Sequence, residues 1–128
     1  MKLTRIFGIF IPLFFCQASF AQLIWLVPAN PSVTDSVTLF FNAAEGNKAL
    51  KDLGEDVYLH TGVITNKSLD GHDWKYVVGN WGKDDKSVLM KREGENLYSF
   101  RFVINSFYKL RPDDVANQLA YVFRNQDG

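Results

Sequence analysis

From Ser36 onward the apolar residues recur mainly at every second position, the spacing that places them on one face of an extended strand. In "SVTLFFNA", Val37, Leu39 and Phe41 share one face while Ser36 and Thr38 take the other. "DVYLHTGVI" repeats the pattern with Val57, Leu59 and Val63, and in "LYSFRFVI" Tyr98, Phe100, Phe102 and Ile104 alternate with Leu97, Ser99, Arg101 and Val103. These segments predict half-buried strands. Lys75 to Trp81 and Leu119 to Phe123 predict two more, and Leu23 to Val27, stopped by Pro28, predicts an edge strand, where proline is tolerated. Glu93-Gly94-Glu95-Asn96 lies between two such runs and predicts a hairpin loop of residues that accept a positive φ. Helical spacing is nowhere sustained. "NSFYKLRPDD", Asn105 to Asp114, breaks the alternation and predicts a long connection with one helical turn.

Many short strands with turn residues between them predict an all-β fold, an immunoglobulin-like antiparallel β-sandwich, with a small barrel as the alternative. Six or seven strands can be placed, the seventh only by counting the segment near Trp25, where such a sandwich commonly has about seven. Asp127-Gly128 is a strong hairpin signal, since both central residues of that turn need a positive φ, and it predicts a returning strand. The sandwich is therefore expected to lack its last strand.

The first residues change the picture of the chain's length. "MKLTRIFGIFIPLFFCQASFAQ" carries Lys2 and Arg5, an apolar run from Ile6 to Cys16, and Ser19-Phe20-Ala21 before Gln22. This is the layout of a secretory signal peptide over residues 1–21, leaving 22–128 as one domain that is secreted to the periplasm, the cell surface or the exterior. The run is shorter than the ~20 residues of a membrane span and Pro12 interrupts it, so an uncleaved anchor is the runner-up and no membrane association is expected after cleavage. Lys2 and Arg5 leave with the signal, so 14 basic against 14 acidic residues becomes 12 against 14, a balance of −2. Such a mixed surface excludes nucleic acid as a partner, because phosphate backbones require concentrated Lys and Arg. The single cysteine, Cys16, also leaves, so neither disulfides nor thiolate-held cofactors are expected, and no other cofactor is implied.

Catalytic constellations are sparse. The sequence has no glycine-rich phosphate loop, no Gly-x-Ser-x-Gly elbow and no His-Glu-x-x-His zinc motif. His72 in "DGHDW", between Asp70 and Asp73, reads as a solvated turn rather than a metal site, and His60 as a hydrogen-bonded strand histidine. Asp84-Asp85 and Asp113-Asp114 are adjacent aspartate pairs in polar stretches, and both read as solvated turn formers rather than a glycosidase acid and base.

The aromatic residues carry more. Trp74, Tyr76 and Trp81 fall within "HDWKYVVGNWGKDD", beside polar groups that could bind hydroxyls. Sugar rings stack their C–H faces on indoles, so exposed rings in this setting suit a carbohydrate surface. Strand parity places Trp74 and Tyr76 on one face and Trp81 on the other unless Gly79 or Gly82 bends the chain. The competing reading is that at least one of these tryptophans fills the sandwich core.

The segments "VTLFFNAAEGN", "VYLHTGVIT", "WKYVVGNWG" and "LAYVFRNQDG" together resemble the amino-terminal β-sandwich module of secreted α-amylase-type glycoside hydrolases from Bacteroidetes, over about Pro28 to Gly128. The chain is also distantly similar to starch-binding sandwich modules. The resemblance implies a non-catalytic accessory domain ahead of a catalytic barrel in the same polypeptide, with an α-glucan such as starch or a maltooligosaccharide as ligand. It implies that the parent, not this chain, is the enzyme, and that the pattern continues past the final Asp-Gly into another strand. It assigns no binding residue, so Trp74, Tyr76 and Trp81 rest on the stacking argument alone. The alternative is a structural sandwich that packs on the catalytic domain and binds no sugar.

Overall fold

A computed structural model of the chain describes residues 21–128. The expected signal segment thus lies, apart from Ala21, outside the described residues. Among the described residues seven strands follow one another: β1 (Ile24–Val27), β2 (Ser36–Asn42), β3 (Tyr58–Thr65), β4 (Lys75–Val78), β5 (Lys91–Gly94), β6 (Leu97–Val103) and β7 (Ala116–Arg124). A 3-10 turn, Lys86–Val88, precedes β5, and a five-residue helix, α1 (Ile104–Tyr108), occupies the expected connection after β6. Every strand pair is antiparallel.

The strands form two sheets, of order β1-β2-β6-β5 and β4-β3-β7. With the strands lettered in chain order as A, B, C, C′, D, E and F, these are the A-B-E-D and C′-C-F sheets of an immunoglobulin-like sandwich. The predicted all-β sandwich is the fold. Among the described residues, the sheet position on the outer side of β7 is unfilled.

The period-2 pattern builds the core directly. Val37, Leu39 and Phe41 of β2 stand opposite Phe102, Phe100 and Tyr98 of β6, and all but Phe100 are buried. Leu59 and Val63 of β3 meet them from the other sheet, joined by Val57, Val88 and Met90. Phe41 stacks on Phe123 across the sheets with ring centroids 3.9 Å apart. Each fully buried aliphatic or phenyl side chain contributes about 1.5–3 kcal/mol relative to exposure, so this layer is the main source of stability. Below it, α1 turns Phe107 and Tyr108 onto Phe102, at 5.0 and 6.0 Å. One polar link crosses the core: Thr61 Oγ1 donates to the Ala120 carbonyl at 2.7 Å and, its proton so used, accepts from the Tyr108 hydroxyl at 2.6 Å. Burial raises the Tyr108 pKa to about 12, keeping that hydroxyl a donor.

The turns explain where sequence and structure differ. Asn96 takes the predicted positive φ in the β5–β6 hairpin, and its side chain holds the backbone N–H of Asp52 at 2.6 Å. The strand predicted over Lys75 to Trp81 ends at Val78, because Gly79 turns to φ +108. In the expected Asp127-Gly128 hairpin turn only Gly128 has a positive φ, and the bend is closed instead by Asn125 Oδ1, which accepts the Gly128 N–H at 3.0 Å. Asp113-Asp114 is not a solvated pair: the Asp114 side chain is 2 % exposed and receives Lys67 Nζ at 2.7 Å as well as the Tyr76 hydroxyl.

Candidate functional site

The three-stranded sheet has an outer face on which β3 presents Tyr58, His60, Gly62 and Ile64, while Leu59, Thr61 and Val63 point into the core. Gly62 is where the site begins. A Cβ there would stand 3.0 Å from the Trp74 Cβ and 3.4 Å from the Trp74 ring, so the missing side chain is what lets that tryptophan lie over the sheet. The turn before β4 holds it: Asp73 Oδ2 accepts the Leu69 N–H at 2.9 Å, and Trp74 Nε1 donates to the Gly71 carbonyl at 3.3 Å. The Lys75 ammonium, and after it the Leu69 N–H, hold the Asp73 carboxyl below its usual range, so it remains an acceptor.

Next to Gly62 is His60, whose ring centroid lies 6.4 Å from Trp74 and 5.3 Å from Trp81, edge-on to the latter. His60 Nδ1 is 3.1 Å from the Gly79 carbonyl. A carbonyl only accepts, so Nδ1 carries the proton and Nε2 of the neutral ring is the acceptor. The strand histidine is hydrogen-bonded as expected, and it also bridges the two indoles.

Trp81 is 52 % exposed, in the turn that follows β4. Its loop is pinned from beneath by Arg124, which is 2 % exposed. The guanidinium donates to the carbonyls of Asn80 and Lys83 at 2.6 and 2.9 Å, on either side of Trp81, and to those of Asn125 and Gln126 at 2.8 and 3.3 Å. It also lies 4.9 Å from the Tyr58 ring centroid and 5.9 Å from that of Trp81, within cation–π reach of both. Asp85 ties the same loop from the other side by accepting the Asn80 N–H at 2.9 Å. Val122, 40 % exposed and opposite His60 in register, continues the surface onto β7.

The structure therefore brings Trp74 and Trp81 to one face and sends Tyr76 away, the reverse of strand parity. Tyr76 adopts φ +53, and between Thr61–Val78 and Val63–Lys75 the β4 strand carries one residue more than β3. This bulge rotates Tyr76 out of alternation, so that it packs against the core and donates its hydroxyl to Asp114. Gly79 at φ +108 then carries Trp81 back over His60; a Cβ at Gly79 would meet the Leu59 carbonyl at 2.9 Å. Neither Trp74 nor Trp81 fills the core. The third tryptophan, Trp25, stacks on Phe40 of the other sheet at 5.1 Å.

Sequence reading missed His60 and Arg124 as members of this surface. The signal was present: in "VYLHTGVIT" and "LAYVFRN" the residues out of phase with the core positions are Tyr58, His60 and Gly62, and Ala120, Val122 and Arg124.

His72 is fully exposed in its turn, and Asp70 accepts the N–H groups of His72 and Asp73 at 2.7 and 3.2 Å, as a turn former does. Among the described residues, no group of three His, Cys, Asp or Glu side chains is placed to hold a metal ion, and no helix is long and apolar enough to cross a membrane. The surface is thus an aromatic strip, Trp74–His60–Trp81, on a floor of Gly62, Ala120 and Val122. It offers flat apolar rings, an imidazole acceptor and no assembled catalytic pair. Compared with protein-family models and with curated protein sequences, the chain matches none.

Proposed function

We propose that this domain is a non-catalytic carbohydrate-binding module of a secreted α-glucan-degrading enzyme, and that Trp74, His60 and Trp81 form its sugar platform. The observation that supports this best is the convergence of the two indoles about His60 on an open sheet face. A glucan chain lies along such a strip with successive rings stacked on indoles and hydroxyls hydrogen-bonded at the edge, for instance to His60 Nε2. Tyr76 is left out of this platform, since its hydroxyl belongs to Asp114. Binding of this kind acts by holding an attached enzyme at high effective concentration on its polymer. The sequence resemblance to amylase accessory modules supports the same ligand class. A second reading is a structural sandwich whose outer face packs on a neighbouring catalytic domain; the exposure of Val77, Trp81 and Val122 on one sheet favours it.

The test measures retardation in soluble-starch affinity gels, quenching of tryptophan emission by maltooligosaccharides, and unfolding, all on the same Trp74→Ala and Trp81→Ala variants. Each substitution is expected to weaken binding by about 1–3 kcal/mol, the worth of a ring stacked on an aromatic face. Trp81→Ala should leave the unfolding midpoint nearly unchanged, because that side chain is half exposed. If the unmodified protein ignores every α-glucan offered, the packing reading replaces this one.

A further inference from the structure

A polar hollow lies apart from the aromatic strip, where the β3–β4 loop, the start of β4 and the loop before β7 meet. Thr65, Lys67, Lys75, Tyr76, Arg111 and Asp114 line about 360 Å³ there. Half of these side chains are cations and none is aliphatic, so the hollow is not a gap left by apolar packing. Its volume falls in the range of small-molecule sites and exceeds what a bare ion fills.

The walls are fixed by bonds within and between the loops. Asp114 Oδ2 accepts the Arg111 N–H at 3.3 Å and the Asp114 N–H donates to the Arg111 carbonyl at 3.1 Å, closing a turn in which Pro112 takes the second position. Asn66 ties this segment to the β3–β4 loop: its Oδ1 accepts the Val115 N–H at 3.0 Å, and its backbone N–H donates to the Val115 carbonyl at 3.1 Å. The buried Asp114 carboxylate takes Lys67 Nζ on Oδ1 and the Tyr76 hydroxyl on Oδ2. Thr65 Oγ1 accepts the Lys67 N–H at 3.1 Å, which leaves the hydroxyl proton to donate.

The charges inside the hollow do not balance. Lys67 is shared between Asp113 and Asp114 at 2.6 and 2.7 Å, and Lys75 is paired with Asp73 at 2.9 Å. Among the described residues the Arg111 side chain has no carboxylate partner and forms no hydrogen bond; only its backbone is held. Three cations therefore face one carboxylate across the hollow, while Asp73 and Asp113 stand outside its lining.

We propose that this hollow binds a sugar that carries an oxyanion, either a phosphate ester or a carboxylate on a hexose ring. The planar fork of Arg111 takes two oxygens of the anion, and Lys67 and Lys75 add their remaining ammonium protons. The Thr65 hydroxyl and the free lone pairs of Asp114 take hydroxyls of the ring. A neutral sugar gains nothing from Arg111, and a bare ion meets the Asp114 charge with no hydroxyl between them, so the combination selects the acidic sugar. These residues are distinct from Trp74, His60 and Trp81, and the site stands whether or not those bind glucan.

The experiment is a titration of the whole protein with glucose 6-phosphate, glucuronate, glucose and inorganic phosphate, read as backbone amide shifts by NMR. Glucose 6-phosphate or glucuronate should shift the amides of Thr65, Lys67, Lys75 and Arg111 saturably while those of His60 and Trp81 stay in place, and the tighter of the two names the oxyanion. Glucose and inorganic phosphate should each bind at least about tenfold more weakly. Arg111→Gln should weaken the tighter probe by about tenfold with no change in the unfolding midpoint, because the native side chain forms no bond within the protein that could be lost. The proposal is overturned if neither acidic sugar shifts these amides, if Arg111→Gln binds as the unmodified protein does, or if inorganic phosphate binds as tightly as the acidic sugars, which would leave an ion site only.

Discussion

Arg124→Lys keeps the charge of Arg124 and removes its shape, which isolates what the guanidinium does. In the native protein one planar group reaches four carbonyls on two segments at 2.6 to 3.3 Å, and lies within cation–π reach of Tyr58 and Trp81. An ammonium has its donors on a single atom and cannot serve both ends of that fork, so about two of the four bonds are lost. Hydrogen bonds to a charged group are worth roughly 1.5–3 kcal/mol each, and the weakened ring contacts add about 1 kcal/mol. Against this, the freed carbonyls of Asn80 and Lys83 belong to exposed residues and regain water. The net loss should be about 2–3 kcal/mol, which for a domain of this size lowers Tm by on the order of 10–20 °C. Differential scanning calorimetry measures that shift. Acrylamide quenching of Trp81 should rise in the same variant, because the loop around it loses its anchor. A Tm within about 3 °C of the unmodified protein, or unchanged quenching, would show that Arg124 is a bystander to the Trp81 loop.

Two further outcomes follow from the buried polar links. The Asp114 carboxyl is held down at about 2, first by the Lys67 ammonium and then by the Tyr76 hydroxyl. Its folded value lies below the ~3.9 of an unfolded aspartate, so its contribution is complete above about pH 5 and is lost as pH falls through about 2. Urea midpoints should therefore decline more steeply between about pH 4 and 2 in the unmodified protein than in Asp114→Asn, which should start lower at neutral pH; parallel declines would contradict this. Thr61→Val leaves the buried Tyr108 hydroxyl and the Ala120 carbonyl without their shared partner, and should cost about 1–3 kcal/mol in guanidinium unfolding. A neutral or stabilising effect would mean that the link contributes nothing net.

What the sequence determined by itself was everything carried by period two. Val37, Leu39 and Phe41, then Leu59 and Val63, then Tyr98 and Phe102, are legible as core because alternation is a local property, readable within one strand, and because burying such side chains dominates folding. The β5–β6 hairpin and the single turn of α1 were legible for the same reason, since the requirements of a turn are met by neighbours in the chain. The binding face was legible only as a set of residue types. Which rings share it depends on Tyr76 at φ +53 and Gly79 at φ +108, two dihedral choices that reverse the parity of everything after them. No local rule favours a positive φ at a tyrosine; it is held there by the core packing of its ring and by Asp114, 38 residues away. The burial of Asp114 and the pinning of Asn80 and Lys83 by Arg124 are likewise decided by which strands become neighbours. That is settled by the packing of two whole sheets, where these partners lie 38 to 44 positions apart and a pattern read along the chain carries no record of them.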